Sequence, residues 1–229
     1  MSGRLVVVTG GAGGIGRAVA ARFESAGDRV LSPGRDESDV TDEASVAAFF
    51  ARAGAVDVLV NNAGMAESAP LGRTTLASWR AHLDVNATGA FLCTRAVIDG
   101  MRTRRSGAIV TVASIAGRVG ARYTAAYTAS KHAAVGLMRA AAAELAGSGA
   151  TANAVCPAFV DSPMTDRSVA RIEELTGRAG ARRSLEQMTP LGRLLEPDEV
   201  AGAVAWLASP AAAAVNGQTL VLDGGGIQA

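Results

Sequence analysis

The sequence has few of the residues that build metal centres and disulfide scaffolds. Among its 229 residues are only 2 cysteines and 2 histidines, and none of them stands at metal-ligand spacing. Cys93 and Cys156 lie in apolar contexts, which predicts buried free thiols in a reducing compartment such as the cytoplasm. His82 and His132 form no cluster and are predicted to be structural or solvated. The sequence therefore predicts no metal site.

Net charge and long apolar runs are also lacking. The 22 basic and 21 acidic residues leave a formal charge of +1, so electrostatics give no reason to expect nucleic acid or an anionic membrane as a partner. No apolar run approaches the ~20 residues of a membrane helix. The first strand-like run begins at Leu5, which argues against a signal peptide. A hydrophobic fraction of 49% with 27 glycines is typical of an alanine-rich α/β protein, and we expect a single domain over residues 1–229.

Strand-like and helix-like segments alternate along the whole chain. Such alternation predicts an α/β fold of the Rossmann type, a doubly wound parallel sheet with helices on both faces. Ligands then bind at the carboxyl ends of the strands, near the topological switch point. The predicted strands are Arg4–Thr9, Arg29–Ser32, Asp57–Asn61, Ala108–Ala113, Ala150–Cys156 and Thr219–Leu222. The predicted helices are Gly14–Ala26, Glu43–Ala53, Leu76–Arg104 with a break near Asp84, Thr124–Leu145 and Pro197–Ala208.

A glycine-rich turn separates the first strand from the first helix. Its sequence, Thr9-Gly-Gly-Ala-Gly-Gly-Ile-Gly16, allows a tight turn and lets the backbone approach a pyrophosphate resting on the helix N-terminus. No Walker lysine follows, so the turn indicates a dinucleotide rather than a nucleoside triphosphate. The glycines fit two registers, Gly11-x-Gly13-x-x-Gly16 and Thr9-Gly10-x-x-x-Gly14-x-Gly16.

Tyr127 and Lys131 stand four residues apart on the predicted helix Thr124–Leu145, which places them on one face, one turn apart. A free tyrosine has a pKa near ~10 and exchanges protons poorly at neutral pH. A cation beside it favours the phenolate and lowers that pKa towards the working range. The pair predicts an acid/base device, although the same spacing also occurs where a half-buried tyrosine merely adjoins a solvated lysine.

Three motifs together resemble the short-chain dehydrogenase/reductase family: the second glycine register, Asn61-Asn62-Ala63-Gly64, and Tyr127-x-x-x-Lys131. The resemblance covers essentially the whole chain. It implies an NAD(P)-linked enzyme that interconverts a small-molecule ketone and a secondary alcohol. It also implies a homotetramer, or else a dimer, in which the two long helices before and after Ser114 pack across an interface.

The resemblance gives a role to four residues. Tyr127 would be the general acid in ketone reduction and the general base in alcohol oxidation. Lys131 would lower the pKa of Tyr127 and bind the nicotinamide ribose, and each unit of depression corresponds to ~1.4 kcal/mol. Ser114 would hydrogen-bond the substrate oxygen and orient it. Asn86 would hold a water in the proton relay to Lys131.

The same resemblance implies which residues contact the cofactor. The loop Asn62-Ala63-Gly64 would line the path of the adenine ribose, and Asp39 would contact the adenine amino group. After Pro157 the family usually has a glycine and later a threonine for the carboxamide; this chain has Ala158 and Ser162 instead. The predicted cofactor residues are Gly10, Gly13, Gly14, Ile15, Gly16, Arg35, Asp39, Val40, Asn62, Ala63, Gly64, Tyr127, Lys131, Pro157, Val160 and Ser162.

The residue after the second strand bears on cofactor choice. An acidic residue there would bind a ribose 2′-hydroxyl and repel a 2′-phosphate. The position falls on Gly34 with Arg35 next, so no carboxylate guards it and a guanidinium is placed for a 2′-phosphate. We therefore predict NADP(H), with NAD(H) as the alternative if Asp36 serves the ribose. The helix and third strand usual before Asp39 are missing, which predicts a truncated sheet edge and a more open adenine pocket.

Residues 161–196 correspond to the family's mobile substrate lid. The region Met188–Val200 resembles members that act on 3-oxoacyl or 3-hydroxyacyl thioesters, and we favour that substrate class. The alternatives are an NAD-dependent dehydrogenase of a sugar, polyol, steroid or alicyclic alcohol, and a cofactor-binding regulatory protein without turnover. Four lid arginines either meet a phosphorylated carrier such as coenzyme A or form a solvated face: Arg178, Arg182, Arg183 and Arg193.

Overall fold

One parallel sheet of six strands organises the protein in a computed structural model that describes residues 3–227. The strands are β1 (Leu5–Val8), β2 (Arg29–Leu31), β3 (Val58–Asn61), β4 (Gly107–Val112), β5 (Ala150–Pro157) and β6 (Thr219–Leu222). The helices are α1 (Gly14–Ser25), α2 (Glu43–Ala53), α3 (Leu76–Leu83), α4 (Gly89–Arg104), α5 (Ala125–Leu145), α6 (Pro163–Thr176), α7 (Ala181–Gln187) and α8 (Pro197–Leu207). All strand pairs are parallel, in the order β2-β1-β3-β4-β5-β6. This arrangement confirms the predicted fold class.

Side chains of the buried strands alternate between two apolar layers, as the period of a strand requires. In β1, Val6 and Val8 pack with residues of α1 and α8, whereas Leu5 and Val7 pack with residues of α2, α4 and α5. Val6, Val7 and Val8 are completely buried, and each such side chain contributes about 1.5–3 kcal/mol relative to exposure. A continuous apolar run therefore becomes a central strand covered on both faces.

The switch point lies at β1, which pairs with β2 on one side and with β3 on the other. The chain reverses its direction of travel across the sheet there, so a crevice opens beyond the carboxyl ends of β1 and β3. The glycine turn follows β1 and the Asn62-Ala63-Gly64 loop follows β3. Both predicted cofactor segments consequently border the same crevice.

The edge of the sheet beside β2 is truncated, as predicted. Residues 32–42 contain no strand or helix, and β2 is the last strand on its side of the sheet within the described residues. A groove of about 330 Å³ opens next to this edge between Leu31 and Phe49. The adenine side of the crevice is thus bordered by a short, open loop.

The α-helical pattern is interrupted at Asp84, as predicted, between α3 and α4. The interrupting segment Asp84–Thr88 is itself helical, a π turn in which the Gly89 N–H bonds to the Asp84 carbonyl. A five-residue hydrogen-bonded spacing widens the helix without ending it. Asn86 stands inside this wide turn and is buried.

Within residues 3–227, none of the helices is long and apolar enough to cross a membrane. The same residues contain no group of three or more histidine, cysteine, aspartate or glutamate side chains that could hold a metal ion. Cys93 and Cys156 are both buried and free.

Candidate active site

The glycine turn is packed so closely that a side chain added at Gly10, Gly11 or Gly16 would collide with the protein. A Cβ on Gly16 would come within 2.4 Å of the Gly10 carbonyl oxygen and within 2.6 Å of the Asn62 side chain. Gly10 has φ of +66°, a left-handed conformation that glycine adopts without strain. A Cβ on Gly13, by contrast, would meet nothing within 4 Å. The turn is therefore closed against the protein at Gly16 and open towards the crevice at Gly13.

Thr9 and Asn62 bind the two loops of the crevice together. The Thr9 hydroxyl accepts hydrogen bonds from the backbone N–H groups of Asn62 and Ala63, both at 3.0 Å. The Asn62 amide in turn donates to the carbonyls of Thr9 and Gly10 at 3.0 and 3.1 Å. These four bonds fix the position of the glycine turn against the end of β3.

Ser114, Tyr127 and Lys131 meet at the carboxyl end of β4. Ser114 caps a short 3₁₀ turn, and its hydroxyl accepts a bond from the Ala116 N–H at 3.1 Å. The Lys131 ammonium donates to the Val112 carbonyl at 2.9 Å and lies 5.8 Å from the centroid of the Tyr127 ring. The helix α5 delivers both Tyr127 and Lys131 to one place, as their four-residue spacing predicts.

Asn86 is held by three hydrogen bonds. Its carbonyl oxygen accepts from the Met65 N–H at 2.8 Å, and its amide donates to the Met65 carbonyl at 3.0 Å and to the Ser130 hydroxyl at 2.9 Å. The Ser130 hydroxyl donates to the Tyr127 carbonyl at 2.8 Å. The π turn, the loop after β3 and the first turns of α5 are thereby linked around one buried amide.

Asn86 and Lys131 both approach Gly64. A Cβ placed on Gly64 would lie 3.1 Å from the Asn86 Oδ1 and 3.6 Å from the Lys131 Nζ. Gly64 has no side chain, so it adds no atom beside this carbonyl oxygen and this ammonium. Both groups are polar and could share a bound water.

Burial governs the ionisation of the central pair. It lowers the pKa of Lys131 to about 8 and raises the pKa of Tyr127, an effect that a hydrogen bond with the Ser114 side chain opposes. The sequence prediction that Lys131 brings the Tyr127 pKa down does not hold for the protein alone, because removal from water disfavours both charged forms. Cys156 is buried beside the pair, and burial also raises the pKa of its thiol.

The turn after β5 closes over the glycine turn. Pro157 ends β5, Val160 bridges to Leu195, and the Ser162 hydroxyl caps α6 by accepting from the Thr165 N–H at 3.4 Å. A Cβ on Gly14 would be 3.1 Å from the Ser162 Cβ. Ser162 thus stands directly against the start of α1, on the crevice side of the fold.

On the adenine side, the predicted contacts bind one another. The Arg35 Nε donates to the Asp39 Oδ2 at 2.9 Å, while the Asp39 Oδ1 accepts from the Thr41 N–H at 2.9 Å and from its hydroxyl at 2.7 Å. These bonds, with those of the Thr41 hydroxyl first, lower the pKa of Asp39 to about 2. Val40 packs against Gly89 of α4, so that an added Cβ there would approach it to 2.9 Å.

The prediction that no carboxylate guards Gly34 is wrong. Glu37 folds back along the loop, and its Oε2 accepts from the Gly34 N–H at 3.0 Å. The tight turn that makes this possible is closed by bonds from the Glu37 and Ser38 N–H groups to the Gly34 carbonyl. A negative charge therefore stands beside Arg35 at the end of the second strand.

Comparison with known proteins places this site in a family. Residues 36–226 match the family model described as enoyl-(acyl carrier protein) reductase. The cis-4-hydroxycyclohexanecarboxylate dehydrogenase of Sinomonas cyclohexanicum is 40% identical, over 97% of this chain and 96% of that protein. A crystallised oxidoreductase of the short-chain dehydrogenase/reductase family from Burkholderia thailandensis is 39% identical, with a TM-score of 0.88 over 98% of this chain and 93% of the other. The chain belongs to the short-chain dehydrogenase/reductase family.

A second solved structure of this kind is a variant of actinorhodin polyketide ketoreductase with NADPH. It is 34% identical and has a TM-score of 0.92, over 97% of each chain. As a short-chain dehydrogenase/reductase, the present protein is an NAD(P)-dependent oxidoreductase that interconverts ketones and alcohols. The resemblance read from the sequence motifs is therefore confirmed.

In this short-chain dehydrogenase/reductase, sequence reasoning missed two residues beside the predicted site. Ser130 stands at one of the unassigned positions between Tyr127 and Lys131, yet it joins Asn86 to the backbone of Tyr127. His82 was predicted to be structural or solvated; it is completely buried, and its ring stands edge-on to the Tyr127 ring with centroids 6.4 Å apart. His82 stands four residues before Asn86, a spacing that would place both on one face of a regular α-helix. The π turn between them changes that geometry, so the spacing alone does not show which way the His82 side chain faces.

Proposed function

We propose that this protein is an NADP(H)-linked reductase in which Tyr127, Ser114, Lys131 and Asn86 carry out ketone–alcohol interconversion. The observation that carries the proposal is the convergence of these four side chains beside the crevice that the glycine turn opens onto. A phenol, a hydroxyl, a buried ammonium and a fixed amide in one place provide proton transfer and orientation together. A regulatory protein without turnover has no need of this set.

The residues of the turn fit a dinucleotide. Gly10 and Gly16 allow the backbone to pack where any Cβ would collide, and Gly13 faces open space, so a pyrophosphate can approach the backbone at the start of α1. Pro157, Val160 and Ser162 would border the nicotinamide end, and Asn62, Ala63 and Gly64 the ribose. When bound, the cofactor supplies or accepts the hydride.

Tyr127 moves the proton to or from the substrate oxygen. Its neutral phenol is the form that burial favours, which suits a general acid in ketone reduction. The Ser114 hydroxyl, whose hydrogen bond opposes the rise in the Tyr127 pKa, would orient the substrate oxygen next to the phenol. Reduction therefore starts from the protonation state that the folded protein already stabilises.

Lys131 and Asn86 replace the proton that Tyr127 gives up. With its pKa lowered to about 8, Lys131 is still an ammonium at neutral pH but releases a proton more readily than a free lysine. The Asn86 Oδ1 and the Lys131 Nζ both lie close to Gly64, which has no side chain to separate them from a shared water. A water there would connect Lys131 to the proton pool.

The preference for NADP(H) rests on Arg35. Its side chain is 82% exposed, and only its Nε is used by Asp39 among the described residues, so the two terminal nitrogens are available for a 2′-phosphate. The structural relative bound to NADPH is in keeping with this choice. Glu37 opposes it by like charge, and removal of that charge is expected to strengthen NADPH binding.

The favoured substrate class is a 3-oxoacyl or 3-hydroxyacyl thioester, in keeping with the acyl carrier protein named by the family model. A second class, alicyclic alcohols and ketones, is favoured by the 40% identical dehydrogenase of a hydroxycyclohexanecarboxylate. Residues 161–196 form the proposed lid. Within it Arg182 is neutralised by Asp161, Asp166 and Glu186, and Arg193 pairs with Glu199. Arg178 and Arg183 are then the lid arginines left for a phosphorylated carrier.

We also propose a homotetramer, or else a dimer, in the cytoplasm. The exposed apolar side chains Phe91 on α4 and Trp206 on α8 are suited to burial between subunits. The free thiols Cys93 and Cys156 suit a reducing compartment. Light scattering of the purified protein measures the assembly directly; a monomer at micromolar concentration would refute it.

The experiment that tests the function combines cofactor titration with turnover. NADPH and NADH are titrated by fluorescence, and NADPH oxidation is then followed with acetoacetyl-CoA and with 4-oxocyclohexanecarboxylate. We expect tighter binding of NADPH and faster turnover of the thioester. The Tyr127→Phe variant should lose turnover by roughly 10³-fold or more with NADPH affinity nearly unchanged. Turnover that survives in this variant would overturn the role of Tyr127, and faster turnover of the cyclic ketone would replace the substrate class.

A further inference from the structure

His82 is an uncharged, fully enclosed side chain placed against the proposed acid. It is 0% exposed, lies in the last turn of α3 and stands edge-on to the Tyr127 ring at an interplanar angle of 77°. Edge-on pairs of this kind are attractive beyond their buried area. The contact therefore restrains the flank of the Tyr127 ring, while the hydrogen bond with Ser114 restrains its hydroxyl.

Hydrogen bonds fix the orientation of the His82 ring itself. Its Nδ1 lies 2.7 Å from the Ser78 carbonyl, which can only accept, and its Nε2 accepts from the Glu67 N–H at 3.0 Å. Both partners are satisfied together only by the neutral tautomer with the proton on Nδ1. The ring is thus held on both sides, by α3 and by the loop that follows β3.

The same loop reaches the other parts of the site. Met65, two residues before Glu67, makes two hydrogen bonds with Asn86, and Gly64 lies beside both Asn86 and Lys131. A side chain that served packing alone would need neither two directed hydrogen bonds nor an aromatic ring at this position. The ring shape matters for Tyr127, and the two nitrogens matter for the loop.

We propose that His82 is a positioning residue for Tyr127: its ring edge holds the phenol in line with Ser114, and its two nitrogens hold the ring. The proposal rests on the acid/base role of Tyr127 given above. It assigns two separable contributions to one side chain. Turnover depends on the ring, and stability depends on the hydrogen bonds.

Two substitutions separate these contributions. His82→Phe keeps a ring of similar shape and loses both hydrogen bonds, whereas His82→Gln can keep a donor for Ser78 and an acceptor for Glu67 but loses the ring. We expect His82→Gln to lower kcat by roughly tenfold or more with Tm close to wild type. We expect His82→Phe to lower Tm more, while its kcat stays higher than that of His82→Gln. KM and the Kd of NADPH should change by less than about threefold in both.

The exposed His132 supplies a matched control, because its Nδ1 also contacts the carbonyl four residues earlier, that of Thr128, at 2.9 Å. His132→Gln should leave kcat and Tm unchanged. All rates are taken with the ketone that the wild-type enzyme reduces fastest. A kcat that follows Tm across the His82 variants, or that is unchanged in His82→Gln, would overturn the proposal. If His82→Phe does not fold, the kcat of folded His82→Gln decides alone.

Tyr127→Phe in the same assay distinguishes a failure of the proposed acid/base function from a failure of the positioning role of His82. Turnover retained in Tyr127→Phe would refute the acid/base function itself. Turnover lost in Tyr127→Phe but retained in His82→Gln would refute only the positioning role of His82.

Discussion

The two ends of the crevice are held by different kinds of interaction. Around Tyr127, the contacts are buried and directed: Asn86, Ser130 and Lys131 all have hydrogen bonds of 2.8–3.0 Å and exposures of 6% or less. On the adenine side, the contacts are ion pairs and turns at the surface, and the Arg35 side chain is 82% exposed. Buried polar groups are expensive to leave unpaired, whereas surface ion pairs contribute about 0–1 kcal/mol. The proposed catalytic residues are thus held by the fold, whereas the proposed cofactor choice would depend on a few exposed charges.

The largest effect on this contrast is expected from Lys131→Met. Turnover should fall by roughly 10³-fold or more, because the proton relay and the charge beside Tyr127 are both lost. Stability should rise, since the pKa of Lys131 falls from 10.5 to about 8 on folding, and about 2.5 units correspond to at most about 3 kcal/mol of cost at neutral pH. Urea unfolding measures this change in the free energy of unfolding. A variant that is both inactive and clearly less stable would show that Lys131 also supports the fold.

Gly64→Ala tests the buried end by crowding Asn86 beside Lys131. The added methyl would stand 3.1 Å from the Asn86 Oδ1, so the amide would have to shift and a relay water bound to it would be displaced. We expect kcat to fall by roughly 10- to 100-fold with KM nearly unchanged, measured by steady-state kinetics. Gly136→Ala, on α5, is the control because a Cβ there meets nothing within 4 Å. Equal kcat values in the wild type and in Gly64→Ala would contradict the proposal that a relay water binds beside Asn86 and Lys131.

The pH profile tests the ionisation of Lys131 without a substitution. Its pKa of about 8 means that the ammonium is lost between about pH 7 and pH 9, and ketone reduction should fall by about tenfold over that interval. Stability has the opposite slope: the unfolded chain binds more protons than the folded one between about pH 8 and 10.5, so the destabilisation caused by burying this charge is progressively relieved as the pH rises. A kcat that is level up to about pH 9.5 would contradict the prediction.

Changes at the exposed end should be smaller and should alter cofactor choice alone. Arg35→Ala is expected to weaken NADPH binding by about tenfold, and Glu37→Gln to strengthen it by a few-fold, with opposite or no effects on NADH. Both effects should shrink as salt is added, which fluorescence titration can follow. Arg102→Ala is the matched control, since Arg102 is also exposed and paired with a carboxylate, that of Asp99. If the affinities for NADPH and NADH change equally, these residues do not distinguish a ribose 2′-phosphate from a 2′-hydroxyl.

Sequence reasoning recovered the parts of this protein that depend on local pattern. The order of strands and helices follows from apolar runs and glycine punctuation, and Glu43–Ala53 and Thr219–Leu222 begin and end where predicted. The spacing from Tyr127 to Lys131 fixes their shared helix face whatever surrounds them. Such features survive because few residues, all near one another in the chain, determine them.

What escaped prediction depends on folding over distance. Glu37 lies next to the cofactor position only because the shortened loop turns back on Gly34. The pKa of Tyr127 rises rather than falls because burial outweighs the hydrogen bond with Ser114, and burial is set by the whole fold. His82 meets Tyr127 across a π turn, and no helical spacing rule relates two residues separated by such a turn and a strand.

The π turn at Asp84–Thr88 changes the direction in which the side chains of α4 face relative to those of α3. One additional residue in a turn rotates everything after it by about 100°, so the inward stripe of α3 and that of α4 are out of register. The first stripe places His82 against Tyr127, and the second places Leu92 and Val97 in the core beneath the sheet. Deleting a single residue such as Ala87 would align the buried faces of α3 and α4. The continuous helix could then direct its side chains towards Tyr127 or towards the sheet, but not both.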